Sequence, residues 1–86
     1  MTTVVNIRKA KCDVYIGRGS KWGNPFEMKC EADRQRVIDE YEDYARMRFN
    51  KEDLLPLVGK ILGCYCKPKA CHGDILIKLI HEFGLE

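Results

Sequence analysis

The sequence predicts an α/β fold, with α+β as its nearest alternative: a small mixed sheet of three strands covered by two main helices. Three observations lead there. Two short runs near the start are rich in β-branched residues. Two longer runs, 31–49 and 71–83, repeat their apolar residues at helical spacing. Between them, Lys60 to Cys66 is short and apolar, as a buried strand is. The resulting order is β-β-α-(α)-β-α.

Thr2 to Ile7 reads as the first strand. Cys12 to Ile16 reads as the second, with Val14 and Ile16 on one face and Asp13 and Tyr15 on the other. The basic connection Arg8-Lys-Ala-Lys11 is short enough to make the two antiparallel neighbours. Gly17 to Phe26 has three glycines, Ser20 and Asn24-Pro25, which make it a loop. It carries Arg18, Lys21 and Trp22, and loops on a rigid scaffold are common places for binding groups.

In the long helix, Val37, Ile38, Tyr41, Tyr44, Ala45 and Arg48 form the stripe. Acidic residues come early and Arg46 and Arg48 late, as the helix dipole favours. Tyr41 and Tyr44 read as packing residues. Asn50 suits the cap of a short second helix, limited by Pro56 and ended by Gly59. The last helix has its stripe at Ile75, Leu76, Leu79, Ile80 and Phe83, with Gly84 placed as a C-terminal cap.

The 86 residues argue for one domain, 1–86. A net charge of +2 lacks the basic footprint of a nucleic-acid binder, so nucleic acid is the weakest of the partners weighed. No apolar run approaches a membrane span, and Met1-Thr-Thr-Val-Val-Asn-Ile7 runs straight into a charged segment without a signal-peptide pattern, so a cytoplasmic protein is expected. Five cysteines, an odd number, read in a reducing compartment as thiols, metal ligands or reactive groups. Cys64 and Cys12 suit buried packing positions.

The chemistry is expected where the third strand turns into the last helix. Cys71, His72, Gly73 and Asp74 fall on the first helical turn, where backbone N–H groups are free and the dipole adds positive charge. Gly73 would let a ligand approach the backbone, and Lys67 and Lys69 add charge. Such a corner suits an anion, or a thiolate at Cys71. In an open α/β sheet, ligands bind where strand ends meet helix starts. If the Val14 strand lies beside the Cys64 strand, the Arg18 loop meets this corner.

Cys64, Cys66, Cys71 and His72 also supply four zinc-ligand types. On a helix, however, Cys71 and His72 point about 100° apart, which makes one ion awkward for both. Zinc is therefore possible but not the favoured cofactor.

Cys64-Tyr-Cys-Lys-Pro-Lys-Ala-Cys71-His-Gly-Asp-Ile-Leu and Val14-Tyr-Ile-Gly-Arg-Gly-Ser-Lys-Trp-Gly-Asn-Pro-Phe26 carry a resemblance. Together they resemble a small family of bacteria and their phages, termed domain of unknown function 4326. The likeness covers nearly the whole chain. It implies an intracellular α/β domain, in the host cytoplasm if phage-encoded, and no established activity.

The leading expectation is an anionic or phosphorylated, nucleotide-like small molecule held by Arg18, Lys21, Trp22, Asn24, Lys69 and Gly73. A thiol enzyme is a further reading, with Cys71 as nucleophile, His72 as base and Asp74 as orienting group. The chain has no Walker loop, dinucleotide fingerprint or zinc helix to name a reaction. The alternative is a phage-encoded module that binds a host protein through Tyr15, Trp22 or the Tyr41/Tyr44 helix.

Overall fold

The computed structural model describes residues 1–86 and has an α/β fold. Strands β1 (Thr3–Asn6), β2 (Val14–Tyr15) and β3 (Ile61–Cys64) form one sheet in the order β1-β3-β2. Both outer strands run parallel to β3. The sheet is therefore purely parallel rather than mixed, and β1 and β2 are not neighbours. Residues 7–13, too short a link for the usual helical crossover, pass from one edge to the other. They can do so because the strands are only four and two residues long.

Gly63 shows where that link runs. A Cβ at Gly63 would lie 2.4 Å from Ile7 Cγ2 and 2.5 Å from Cys12 Sγ. The crossover thus lies against β3 on the face where Gly63 has no side chain. Leu62 and Cys64 alternate onto the opposite face and are buried.

That second face packs on α1 (Arg34–Arg48) and α3 (His72–Glu82). Tyr41, Ala45, Leu62, Leu76, Leu79, Ile80 and Ile16 are fully buried there, so both helical stripes and the Val14/Ile16 face lie as the sequence predicts. Arg48 departs from its stripe. It is exposed, with its guanidinium 5.6 Å from the Tyr44 ring centre.

Residues 31–33 form a single 3-10 turn ahead of α1. Asn50 caps α2 (Lys51–Leu54): its side chain accepts the Asp53 N–H, and the Asp53 carboxylate accepts the Asn50 N–H. Pro56 then continues into a 3-10 turn, and Gly59, at φ +75°, turns the chain into β3. Gly84 ends α3 at φ +71°.

Candidate functional site

Because β2 and β3 are parallel, their C-terminal ends meet at one edge of the sheet. Tyr15 pairs with Gly63, and the Ile16 N–H donates to the Gly63 carbonyl. The 17–30 loop leaves β2 there, and the 65–70 loop leaves β3 beside it to enter α3. Between these loops and α1 lies an open cleft of about 450 Å³. Its floor is Cys64, Cys71 and His72; Phe26, Val37 and Ile38 form its apolar wall. Arg18 and Arg34 bring its positive charges, and none of its fifteen lining residues is acidic.

His72 ties the cleft together. Its Nε2 is 2.6 Å from the Ile16 carbonyl oxygen, and its ring meets Tyr41 edge-on at 5.0 Å. A carbonyl only accepts, so Nε2 carries the proton and Nδ1 keeps the lone pair. Burial lowers the pKa of His72, so the ring is neutral at pH 7. It is built as a neutral hydrogen-bonding group.

Cys71 lies at the helix start that the sequence predicts, as the N-cap of α3, and is only 2% exposed. Its Sγ lies 3.4 Å from that of Cys64. The Cys64 thiol is lowered to about 5, first by the hydrogen bond from Cys71 and then by the N–H groups of Cys66 and Lys67. Cys71, which donates its proton to that bond and is buried, is shifted the other way. The thiolate of this pair therefore belongs on Cys64, whereas the sequence pointed to Cys71.

Asp74 serves the helix rather than the imidazole. Its carboxylate accepts the Cys71 N–H at 3.2 Å and pairs with Lys67 at 2.6 Å. The start of α3 thus has its own resident anion. Gly73 does not open toward a ligand either. A Cβ there would sit 2.8 Å from both Val4 and Ile16, so the missing side chain lets α3 lie close on the sheet.

Arg18 lines the cleft and donates to the carbonyls of Asn24 and Phe26, at 3.1 Å each, with no carboxylate paired to it. Asn24 also lines it, donating to the Val37 carbonyl and accepting the Phe26 N–H, which fixes the loop on α1. Lys21 turns the other way, to Asp53 at 3.1 Å. Trp22 packs on the core outside the cleft; its carbonyl accepts from Tyr41 at 2.7 Å, and its Nε1 is buried without a partner. Lys69 lies outside the cleft as well, paired with Glu31, which Arg34 and Lys69 together hold at about 2.

The strand ends at Cys64, so Cys66 sits in the loop and does not share a strand face with it. The four candidate zinc ligands are not gathered: no group of three or more His, Cys, Asp or Glu side chains converges on a point that would hold a metal.

Arg34 was not legible as a site residue. It reads as one charge among many on a helix start, yet it reaches across to the Ala70 carbonyl at 2.9 Å and to Glu31. Phe26 and Tyr65 are likewise cleft residues; both lie in the two segments that carry the resemblance, but neither is singled out there as a site residue. A second hollow of about 290 Å³ adjoins the cleft, sharing Arg18 and Asn24. Lys21 and Arg48 also line it, and again no acidic residue does.

The model of the family described as Domain of unknown function (DUF4326) matches residues 3–82. The chain belongs to the DUF4326 family. It is 41% identical over 84 residues to an uncharacterized 12.4 kDa protein in the nrdA-td intergenic region of Enterobacteria phage T4, covering 92% of this chain and 77% of that one. It is 34% identical over 96 residues to an uncharacterized protein of Acanthamoeba polyphaga mimivirus, covering 87% and 74%. No solved structure matches. In this DUF4326 chain, no helix is long and apolar enough to cross a membrane.

Proposed function

We propose that this DUF4326 chain binds an anionic, phosphorylated small molecule of the nucleotide type. One observation carries the reading: an apolar cleft at the strand C-termini opens into a basic hollow, and no carboxylate lines either. The chain has 13 acidic residues, and their exclusion leaves the Cys64 thiolate on the floor as the one anionic group facing an otherwise basic region. A volume near 450 Å³ falls in the range of small-molecule sites.

The ligand's apolar or aromatic body lies against Phe26, Val37 and Ile38, with Nδ1 of His72 accepting a hydrogen bond from it. Its anionic end lies at Arg18 and toward Arg48. The anion thus sits on the loop side, since Asp74 already occupies the start of α3.

Thermal shift with a nucleoside, its mono- and triphosphates, and inorganic phosphate tests this. A ligand at a hundred times its Kd stabilises the native state by about 2.7 kcal/mol. The phosphorylated nucleoside is expected to shift the midpoint more than either the nucleoside or phosphate alone. Ala70 is an exposed residue of the rim, and Ala70→Trp should block the cleft and remove the shift. Arg48→Ala should weaken it for phosphorylated ligands only. Absence of any shift across the set, or an undiminished shift in Ala70→Trp, would overturn the proposal.

A further inference from the structure

The Cys64–Cys71 pair has an arrangement that ligand binding does not require. The two thiols come from different elements, the end of β3 and the cap of α3, and meet with 3.4 Å between their sulfurs. Bonding would bring them to about 2.05 Å, a closure of roughly 1.4 Å. Both line the cleft, although only 1% and 2% of their surfaces are exposed. With Cys64 as the thiolate, the Cys71 S–H is within hydrogen-bonding distance of its sulfur, at 3.4 Å, and the backbone of Cys66 and Lys67 lowers the same thiol. The other cysteines are placed differently: Cys12 lies on the far face of the sheet at Gly63, Cys30 is exposed, and Cys66 lies in the loop wall.

We propose that Cys64 and Cys71 form a dithiol–disulfide exchange site on the cleft floor, oxidised by low-molecular-weight disulfides of the glutathione class. Cys64, as thiolate, attacks one sulfur of the incoming disulfide. The Cys64–glutathione bond forms, and the other glutathione leaves as a thiolate that takes a proton from solvent. Cys71 then loses its proton to solvent and attacks the Cys64 sulfur. The intramolecular bond forms as the second glutathione thiolate departs and is protonated. One protein dithiol and one glutathione disulfide become one protein disulfide and two glutathione thiols. The exchange needs no bound nucleotide, so it stands or falls apart from the ligand proposal.

The experiment equilibrates the reduced chain with glutathione buffers of increasing oxidised fraction. Free thiols are then trapped with N-ethylmaleimide and peptides mapped by mass. Cys64 and Cys66 share a tryptic peptide, so fragmentation between them assigns the bond. The expected product has lost two hydrogens and links Cys64 to Cys71, with Cys12, Cys30 and Cys66 alkylated. Cys71→Ser should accumulate glutathione on Cys64. Cys64→Ser should take up glutathione at Cys71 more slowly, by about tenfold or more, because it lacks the activated thiol. A bond involving Cys66, or full alkylation of both cysteines in excess oxidised glutathione, would overturn the proposal. The mapping on the unaltered chain decides it even if neither variant folds.

Discussion

At the residue scale, two side-chain positions change meaning once the packing is known. Gly73 sits where a glycine suggests room for a ligand, yet its empty side is filled by Val4 and Ile16. Gly73→Ala should therefore destabilise the fold by about 1–3 kcal/mol, the usual cost of overpacking, although alanine favours a helix by about 1 kcal/mol over glycine. Urea unfolding would show this; an equal or more stable variant would mean that α3 can lift off the sheet freely. Cys64 reads from its strand as a packing residue, and it is buried, but its sulfur is the one that receives hydrogen bonds. Its alkylation rate should titrate with a midpoint near 5 and move upward in Cys71→Ser. A midpoint at the ordinary thiol value, about 8.5, would remove the thiolate assignment.

At the scale of elements, the devices that a few neighbouring residues specify were legible. Asn50 and Asp53 lie three apart and cap each other; the stripes of α1 and α3 repeat along the chain; Gly59 and Gly84 end what they were expected to end. Asn50→Ala should cost about 1 kcal/mol in urea unfolding, the usual loss at an N-cap. The direction of the strands was not legible. A seven-residue link between two strand-like runs reads as a hairpin, because nothing local records that a third strand, some 50 residues later, will slot between them. Only Gly63 carries that information, and only once Ile7 and Cys12 are seen against it. The site inherited the same division. The corner at Cys71 and the meeting with the Arg18 loop followed from strand–loop–helix logic. Arg34, Phe26 and the outward turn of Lys21 depend on how α1 crosses the sheet. Gly63→Val should consequently be more damaging than Gly19→Val, although both replace glycine. Gly19 has φ +89° and open space around it, so its variant bears only local backbone strain. At Gly63 the new side chain must displace the crossover itself. Comparable losses for the two in urea unfolding would mean that the link yields easily.

At the scale of the whole molecule, the pH dependence of stability follows from which groups folding makes harder or easier to protonate. The two ends of the chain are clasped: the Glu86 carboxylate accepts from the Thr2 N–H and hydroxyl and from the Gly59 N–H. Those bonds lower its pKa, as Arg46 does for Glu42 and Glu82, and as Asn50 and Lys21 do for Asp53. Each such group favours the folded state above its unfolded value, about 4, and loses that contribution as pH falls through the lowered one. His72 adds a limb at higher pH. Its folded pKa is lowered by burial, so between that value and the unfolded one, about 6.5, the unfolded chain binds the extra proton. Stability should be level in this respect above pH 6.5 or so and decline on acidification by up to about 1.4 kcal/mol per pH unit, well before the carboxylates protonate. His72→Gln keeps an N–H that can reach the Ile16 carbonyl but cannot take up a proton. It should lower stability at neutral pH and make the profile shallower between pH 6.5 and the carboxylate range, leaving the slope that Cys64 contributes because its folded value near 5 lies below the ordinary thiol value of about 8.5. Urea midpoints measured across that range read both effects in one series. A variant whose midpoint still falls as steeply between pH 6.5 and the onset of carboxylate titration as the unaltered chain would show that the imidazole is not the group being forced to charge.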